Sequence, residues 1–142
     1  MTIEQPAGDG PTILGIGTDM IEIGRIQRSL DQHGERFLQR VYTPGEIAYC
    51  LTKKKNAAES FAARFAAKEA GAKALGTGIS RGVTWKEIEV RREPSGRPTL
   101  SLHGRAREIA DHLGITRLSV SLTHSRDLAF AVVIAEGNRS TR

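Results

Sequence analysis

The chain has one cysteine, Cys50, in 142 residues. A single thiol excludes an internal disulfide framework and fits a reducing compartment. No catalytic context surrounds Cys50, so it reads as a small hydrophobe used in packing. Four histidines (His33, His103, His112, His124) show no paired ligand spacing, and with one cysteine they cannot build a structural zinc site. No apolar run approaches the roughly 18 residues of a membrane span. Residues 1–11 lack the basic start and apolar stretch of a signal peptide. They read as a disordered polar leader, and the protein is expected to be cytoplasmic and away from membranes. Aromatic residues make up only 5% of the chain, which argues against single-strand nucleic-acid binding, where bases need stacking platforms. Gly15-x-Gly17 lacks the third glycine of a dinucleotide fingerprint, because Met20 stands in its place. There is no Gly-Lys-Ser/Thr phosphate loop, and no strand–nucleophile–helix elbow frames a serine.

What is present is one domain's worth of ordinary globular sequence, 39% hydrophobic and 26% charged, with a net charge of +5. The charge is uneven. Seven Lys or Arg residues between Arg25 and Lys55 face only Asp31, Glu35 and Glu46. A basic surface predicts an acidic partner: nucleic acid, an acidic protein or a polyphosphate ligand. Charge alone does not choose among them.

The pattern gives a strand at 12–17, a helix at about 21–31 with Ile23, Ile26 and Leu30 on one face, and a helical turn at 35–42. Thr43-Pro-Gly-Glu46 is a helix start, with Thr43 as N-cap, Pro44 in the first position and Glu46 completing a capping box. A long Ala-rich helix follows at about 57–75, closed by Gly76. Strands at 87–91 and 99–103 flank a Pro-Ser-Gly-Arg-Pro turn. A helix at 105–113 ends at Gly114, and strands at 117–123 and 128–135 form a terminal hairpin around His124-Ser-Arg-Asp127. This order predicts an α+β fold, a single domain over 12–136 with mainly antiparallel strands packed on a long helix. Residues 137–142 read as a polar tail.

The long helix carries Arg64, Lys68, Glu69 and Lys73 among small apolar residues. Small residues let a bulky ligand approach the backbone. Clustered cations suit a phosphate-bearing ligand, and a carboxylate among them suits a divalent metal. The plainer account is an exposed helix with Glu69 and Lys73 as an i,i+4 ion pair. Asp19 ends the first strand, where it either caps the next helix or faces a cleft as a metal ligand. The Gly76-Thr-Gly78 loop offers backbone N–H groups to an anion, although the helix cap also explains its glycines.

Gly-Ile-Gly-Thr-Asp19 and Arg64-Phe-Ala-Ala-Lys-Glu69-Ala, in this order and spacing, resemble the holo-acyl-carrier-protein synthase family, the 4′-phosphopantetheinyl transferases of fatty-acid biosynthesis. The resemblance continues through Leu75-Gly-Thr-Gly-Ile79, Gly96-Arg-Pro98 and Val120-Ser-Leu-Thr-His124, covering roughly residues 12 to 136. It implies transfer of 4′-phosphopantetheine from coenzyme A to a serine of apo-acyl carrier protein, with release of adenosine 3′,5′-bisphosphate. It further implies Mg²⁺ held by Asp19 and Glu69, and a phosphate contact from Lys73. Lys68 and Glu69 are the candidate catalytic residues. Lys55, Arg64 and His124 align with family positions near the 3′-phosphate, and Gly76 and Ser125 join them as candidate coenzyme A contacts. The general base stays open among Glu69, Lys68, Asp19 and a water on the metal. Arg25 and Arg28, with Arg36 and Arg40 behind them, are expected to dock the acidic carrier protein. The family is also expected to work as a homotrimer. Leu128 to Ala135 is apolar throughout, so both its faces want burial, and a partner subunit or the helix at 105–113 would cover the second. The competing reading, a small basic nucleic-acid-binding module, fits the charge but has no recognised motif.

Overall fold

The computed structural model describes residues 10–139. The leader reading for residues 1–9, and the end of the tail at 140–142, lie outside the described residues.

β1 (Thr12–Glu22) enters α1 (Ile23–His33), α2 (Glu35–Val41), α3 (Pro44–Leu51) and the long α4 (Ala57–Ala74). β2 (Ile88–Arg92) and β3 (Pro98–Leu102) form one antiparallel hairpin. α5 (Gly104–Leu113) leads into β4 (Ile115–His124) and β5 (Leu128–Gly137). β5 lies between β1 and β4 in a three-stranded antiparallel sheet. The expected α+β architecture, with strands packed on one long helix, is the one observed.

β1 runs five residues further than its sequence suggests. Pairing with β5 carries it through Asp19, which sits opposite Ala131, to Glu22 opposite Leu128. The cap of α1 is therefore Glu22, and Asp19 is not a capping residue. The Thr43–Glu46 capping box forms as expected. α3 ends at Leu51, and the lysine run turns through a short 3-10 segment at Lys54–Asn56.

α4 lies across one face of the large sheet. From β5 it buries Ala129, Ala131, Val133 and Ala135 completely. Gly15 and Gly17 of β1 meet its backbone directly: a Cβ at either would collide with the carbonyl oxygen of Ala74 or Ala70. Glycine in a strand interior often marks such an approach of a second backbone. Among the described residues the opposite face of the sheet is left uncovered. Phe130, Val132 and Ile134 of β5 are half-buried, and Ile16 (59% exposed) and Met20 (60% exposed) pair with Ile134 and Phe130. α5 packs on β4, not over this face.

Candidate active site

The contact of β1 with α4 sets the register of the site. Gly17 fits against the Ala70 turn, and Asp19, two residues on along the same side of the strand, lies within reach of the Lys73 side chain. There Lys73 Nζ lies 3.3 Å from Asp19 Oδ1 and donates to the Thr18 carbonyl at 2.9 Å. Glu69 is one helical turn before Lys73, on the same side of α4. Its Oε1 accepts a hydrogen bond from the indole Nε1 of Trp85 at 3.1 Å. The structure thus pairs Asp19 of β1 with Lys73 of α4, and Glu69 stands one turn earlier on the side of the helix that carries Lys73. Among the described residues no third His, Cys, Asp or Glu joins them as a metal ligand. Two carboxylates are a set that fits Mg²⁺, which takes one or two protein oxygens and fills its shell with water and substrate phosphate.

Lys68 departs from expectation. It is one residue from Glu69, yet a step of about 100° around the helix turns it into the core, where it is 0% exposed. Its Nζ forms an ion pair with Glu46 Oε1 at 2.7 Å and donates to the carbonyls of Trp85 and Ile88, both at 3.0 Å. Burial pushes the ammonium below the usual lysine range, and Glu46 acts in the opposite direction. Glu46 in turn accepts from the backbone N–H of Thr43 at 2.8 Å and of Val90 at 2.7 Å. With all three of its donors engaged, Lys68 is a buried structural cation rather than a group facing the cleft.

A second cluster lies toward the N-terminal end of α4. A cleft of about 310 Å³ is lined by Tyr49, Lys53, Arg64, Arg92 and His124, among others. Three cations surround the Tyr49 ring, with Arg64 at 4.3 Å, Lys53 at 4.8 Å and Arg92 at 4.9 Å from its centroid. Burial alone would raise the Tyr49 phenol, but the hydrogen bond to Lys53 and the charges of Arg92, Arg64 and Lys53 bring it below the usual tyrosine range. Arg64 is buried and held by Ser60, with Nη1 3.0 Å from Oγ. Glu59 is the acidic residue of this lining, 3.9 Å from His124 Nδ1. The cations here suit a phosphate group, which both guanidinium and ammonium groups bind.

Other expected site residues sit differently. Lys55 is exposed in the 3-10 turn, and Lys53 takes the place in the cleft lining. Ser125 closes the β4–β5 hairpin, its Oγ accepting from Leu128 N–H at 3.3 Å. The N–H groups of Gly76, Thr77 and Gly78 all bond back to Lys73 or Ala72 carbonyls, so the loop caps α4 rather than presenting donors to an anion. Gly76, in a left-handed conformation at φ 82°, does line a separate cleft of about 440 Å³ with Thr77, Arg81, Arg105 and His112. Arg25, Arg28 and Arg36 are exposed on α1 and α2. Arg40 is exposed too, but its guanidinium sits 5.8 Å from the Trp85 ring. Sequence reasoning missed Tyr49, Lys53, Arg92 and Trp85. Tyr49 and Lys53 flank the Cys50–Thr52 segment, and Trp85 is the chain's single tryptophan, the one signal in the sequence that points to it.

Residues 15–133 match the model of the 4′-phosphopantetheinyl transferase superfamily. Among curated relatives, the holo-[acyl-carrier-protein] synthase of Koribacter versatilis (strain Ellin345) is 54% identical, over 87% of this chain and 98% of its own length. That of Solibacter usitatus (strain Ellin6076) is 51% identical over the same shares. The crystal structure of the Neisseria meningitidis synthase superposes with a TM-score of 0.78 at 36% identity, covering 87% of this chain and 98% of that one. The Helicobacter pylori synthase in complex with coenzyme A gives 0.75 at 35% identity, over 84% and 98%. With a family model across most of its length and relatives half identical to it over nearly all of theirs, the chain belongs to the holo-[acyl-carrier-protein] synthase family of 4′-phosphopantetheinyl transferases.

Proposed function

We infer that the protein transfers the 4′-phosphopantetheine group of coenzyme A to a serine hydroxyl of apo-acyl carrier protein, in the service of fatty-acid biosynthesis in the cytoplasm. The observation that carries the reading is the pairing of Asp19 of β1 with Lys73 of α4, a helix that also carries Glu69 one turn earlier and supplies Arg64 to the cationic cleft. In the reaction the serine oxygen forms a bond to the β-phosphorus, the bond to the bridging oxygen breaks, and adenosine 3′,5′-bisphosphate leaves. Asp19 and Glu69 would hold Mg²⁺. When bound, the ion offsets charge on the pyrophosphate oxygens. Lys73, paired with Asp19 and one turn beyond Glu69, would contact a phosphate. With Lys68 engaged in the core, the protein groups left to take the serine proton are the carboxylates Glu69 and Asp19. Arg64, His124, Lys53 and Arg92 would receive the 3′-phosphate, with Lys55 and Ser125 at the edge of that site and Gly76 further along the ligand.

Arg25, Arg28 and Arg36 form the docking surface for the acidic carrier protein, and Arg40 links that surface to Trp85. The active unit is proposed to be a homotrimer. Its support is the open sheet face of Ile16, Met20, Phe130, Val132 and Ile134, an apolar stripe that a second copy would cover.

Incubating apo-acyl carrier protein with the protein, coenzyme A and Mg²⁺ and weighing the carrier by mass spectrometry tests the reaction: a phosphopantetheine increment is expected, and its absence would refute the assignment. Asp19→Ala and Glu69→Ala should each abolish that increment while leaving the circular dichroism spectrum unchanged. Near-normal transfer by either variant at saturating Mg²⁺ would remove the metal assignment.

A further inference from the structure

Trp85, the only tryptophan in the chain, is fixed from four directions. Its indole Nε1 donates to Glu69 Oε1 at 3.1 Å, and its carbonyl accepts from Lys68 Nζ at 3.0 Å. Its ring lies 6.1 Å from that of Phe65, at an interplanar angle of 30°, and 5.8 Å from the Arg40 guanidinium. Lys68 is itself immobilised by Glu46 and by the Ile88 carbonyl. A glutamate on a helix surface ordinarily samples several rotamers. Here one carboxylate oxygen is tied to a ring whose backbone is anchored in the core, and Oε2 is left to a ligand.

We propose that Trp85 is a positioning residue: its indole N–H holds the Glu69 carboxylate in the orientation that receives a divalent cation, and Lys68 acts through Trp85 by pinning its carbonyl. The proposal rests on the reading of Glu69 as a metal ligand given above. It gives a role to the buried lysine that the reaction itself does not use. It also separates two functions of the indole: ring packing against Phe65 and Arg40, and one directed hydrogen bond.

Trp85→Phe keeps an aromatic ring and removes the donor. The test measures Mn²⁺ affinity by electron paramagnetic resonance, with coenzyme A present, for the wild-type protein, W85F and E69A. E69A should lose Mn²⁺ binding. W85F should bind Mn²⁺ about fivefold more weakly, the worth of one modest hydrogen bond, while its melting temperature falls by only about a few degrees and its KM for coenzyme A at saturating Mg²⁺ is unchanged. A second measurement needs no change at Trp85. Wild-type intrinsic emission at selective excitation comes from this residue alone, and its maximum should shift when Mg²⁺ is added with coenzyme A, whereas E69A should show no shift. If E69A loses Mn²⁺ while W85F binds it as tightly as the wild type, the positioning role is refuted and the metal reading survives. If E69A and W85F both bind Mn²⁺ normally, the metal reading fails and takes this proposal with it. An unshifted wild-type emission overturns the proposal as well, even where W85F cannot be purified.

Discussion

Replacing Lys68 with methionine separates a structural lysine from a catalytic one. Methionine keeps much of the unbranched stem and deletes Nζ, so three acceptors lose a donor: Glu46 Oε1 and the carbonyls of Trp85 and Ile88. Glu46 keeps its two backbone N–H partners but is left at 2% exposure without its Lys68 counter-charge. Removing one partner of a buried ion pair costs about 3–5 kcal/mol. In a domain of this size each kilocalorie lowers Tm by roughly 3–5 °C, so K68M should melt at least ten degrees or so below the wild type, a drop scaled from the same figures. Total stabilities of about 5–15 kcal/mol leave the variant folded at 20 °C for assay. There, turnover per folded molecule should fall by no more than about tenfold, through a loosened Trp85, because loss of a direct proton donor or acceptor costs about 10²–10⁴-fold. Urea denaturation gives the first number and carrier-protein mass spectrometry the second. A K68M protein as stable as the wild type, with turnover reduced a thousandfold, would refute the reasoning and return Lys68 to the reaction.

Gly17→Ala should destabilise by about 3 kcal/mol or more, the top of the overpacking range, since its Cβ meets the Ala70 carbonyl of a helix that cannot yield; chemical denaturation measures it, and a neutral result would mean the strand–helix contact is looser than described. Arg25→Glu should raise the apparent KM for carrier protein and weaken its salt dependence while leaving that for coenzyme A unchanged; steady-state kinetics at two ionic strengths decide it. Burial would raise the Glu89 carboxyl, but hydrogen bonds from His103 and Thr43 outweigh it and bring the group below its ordinary value of 4.5. Its contribution to stability is therefore full above that pH and is lost as pH falls through the lower folded-state value, so Glu89→Gln should flatten the acid side of a Tm-versus-pH curve. Sedimentation at micromolar concentration should give a trimer, and a fully active monomer would overturn the shared-face reading.

Much of the fold was legible because its signals are local. Thr43-Pro44-Gly45-Glu46 states a helix start in four residues, and the capping box is there. The alternation of Ile88 and Val90 with Glu89 and Arg91 gives β2 and its inward side. Two things were not legible, for one reason. Gly17-Thr18-Asp19 looks like the end of a strand, and only pairing with β5 extends β1 past it. Lys68 and Glu69 look equivalent on a helix whose apolar residues are small and distributed all round, so no stripe says which polar residue faces inward. Tertiary contacts decide both: Glu46, two elements away in sequence, waits in the core for Lys68. Glu46 gave no hint of this, because the glutamate that completes a capping box is usually solvent-facing and this one does both tasks.

The small residues of α4 suggested a helix that lets a ligand come close. The structure gives them a different partner. Ala66, Ala67, Ala70 and Ala74 are buried, and Gly15 and Gly17 face Ala74 and Ala70 without a side chain between the two backbones. A bulky residue on either side would push the strand away from the helix, and Asp19 would move with it. At its present distance the Asp19 carboxylate reaches Lys73, one turn beyond Glu69. Two carboxylates distant in sequence can share an ion only within a few ångströms of each other. On the proposed reading of Asp19 and Glu69 as metal ligands, the alanines and glycines are a condition of the chemistry without touching the substrate. A substitution at Gly17 should accordingly weaken metal binding as well as stability, and the two losses should scale together across Gly17→Ala, Gly17→Ser and Gly17→Val. Loss of stability with Mn²⁺ affinity intact throughout that series would separate the packing from the site and refute the link.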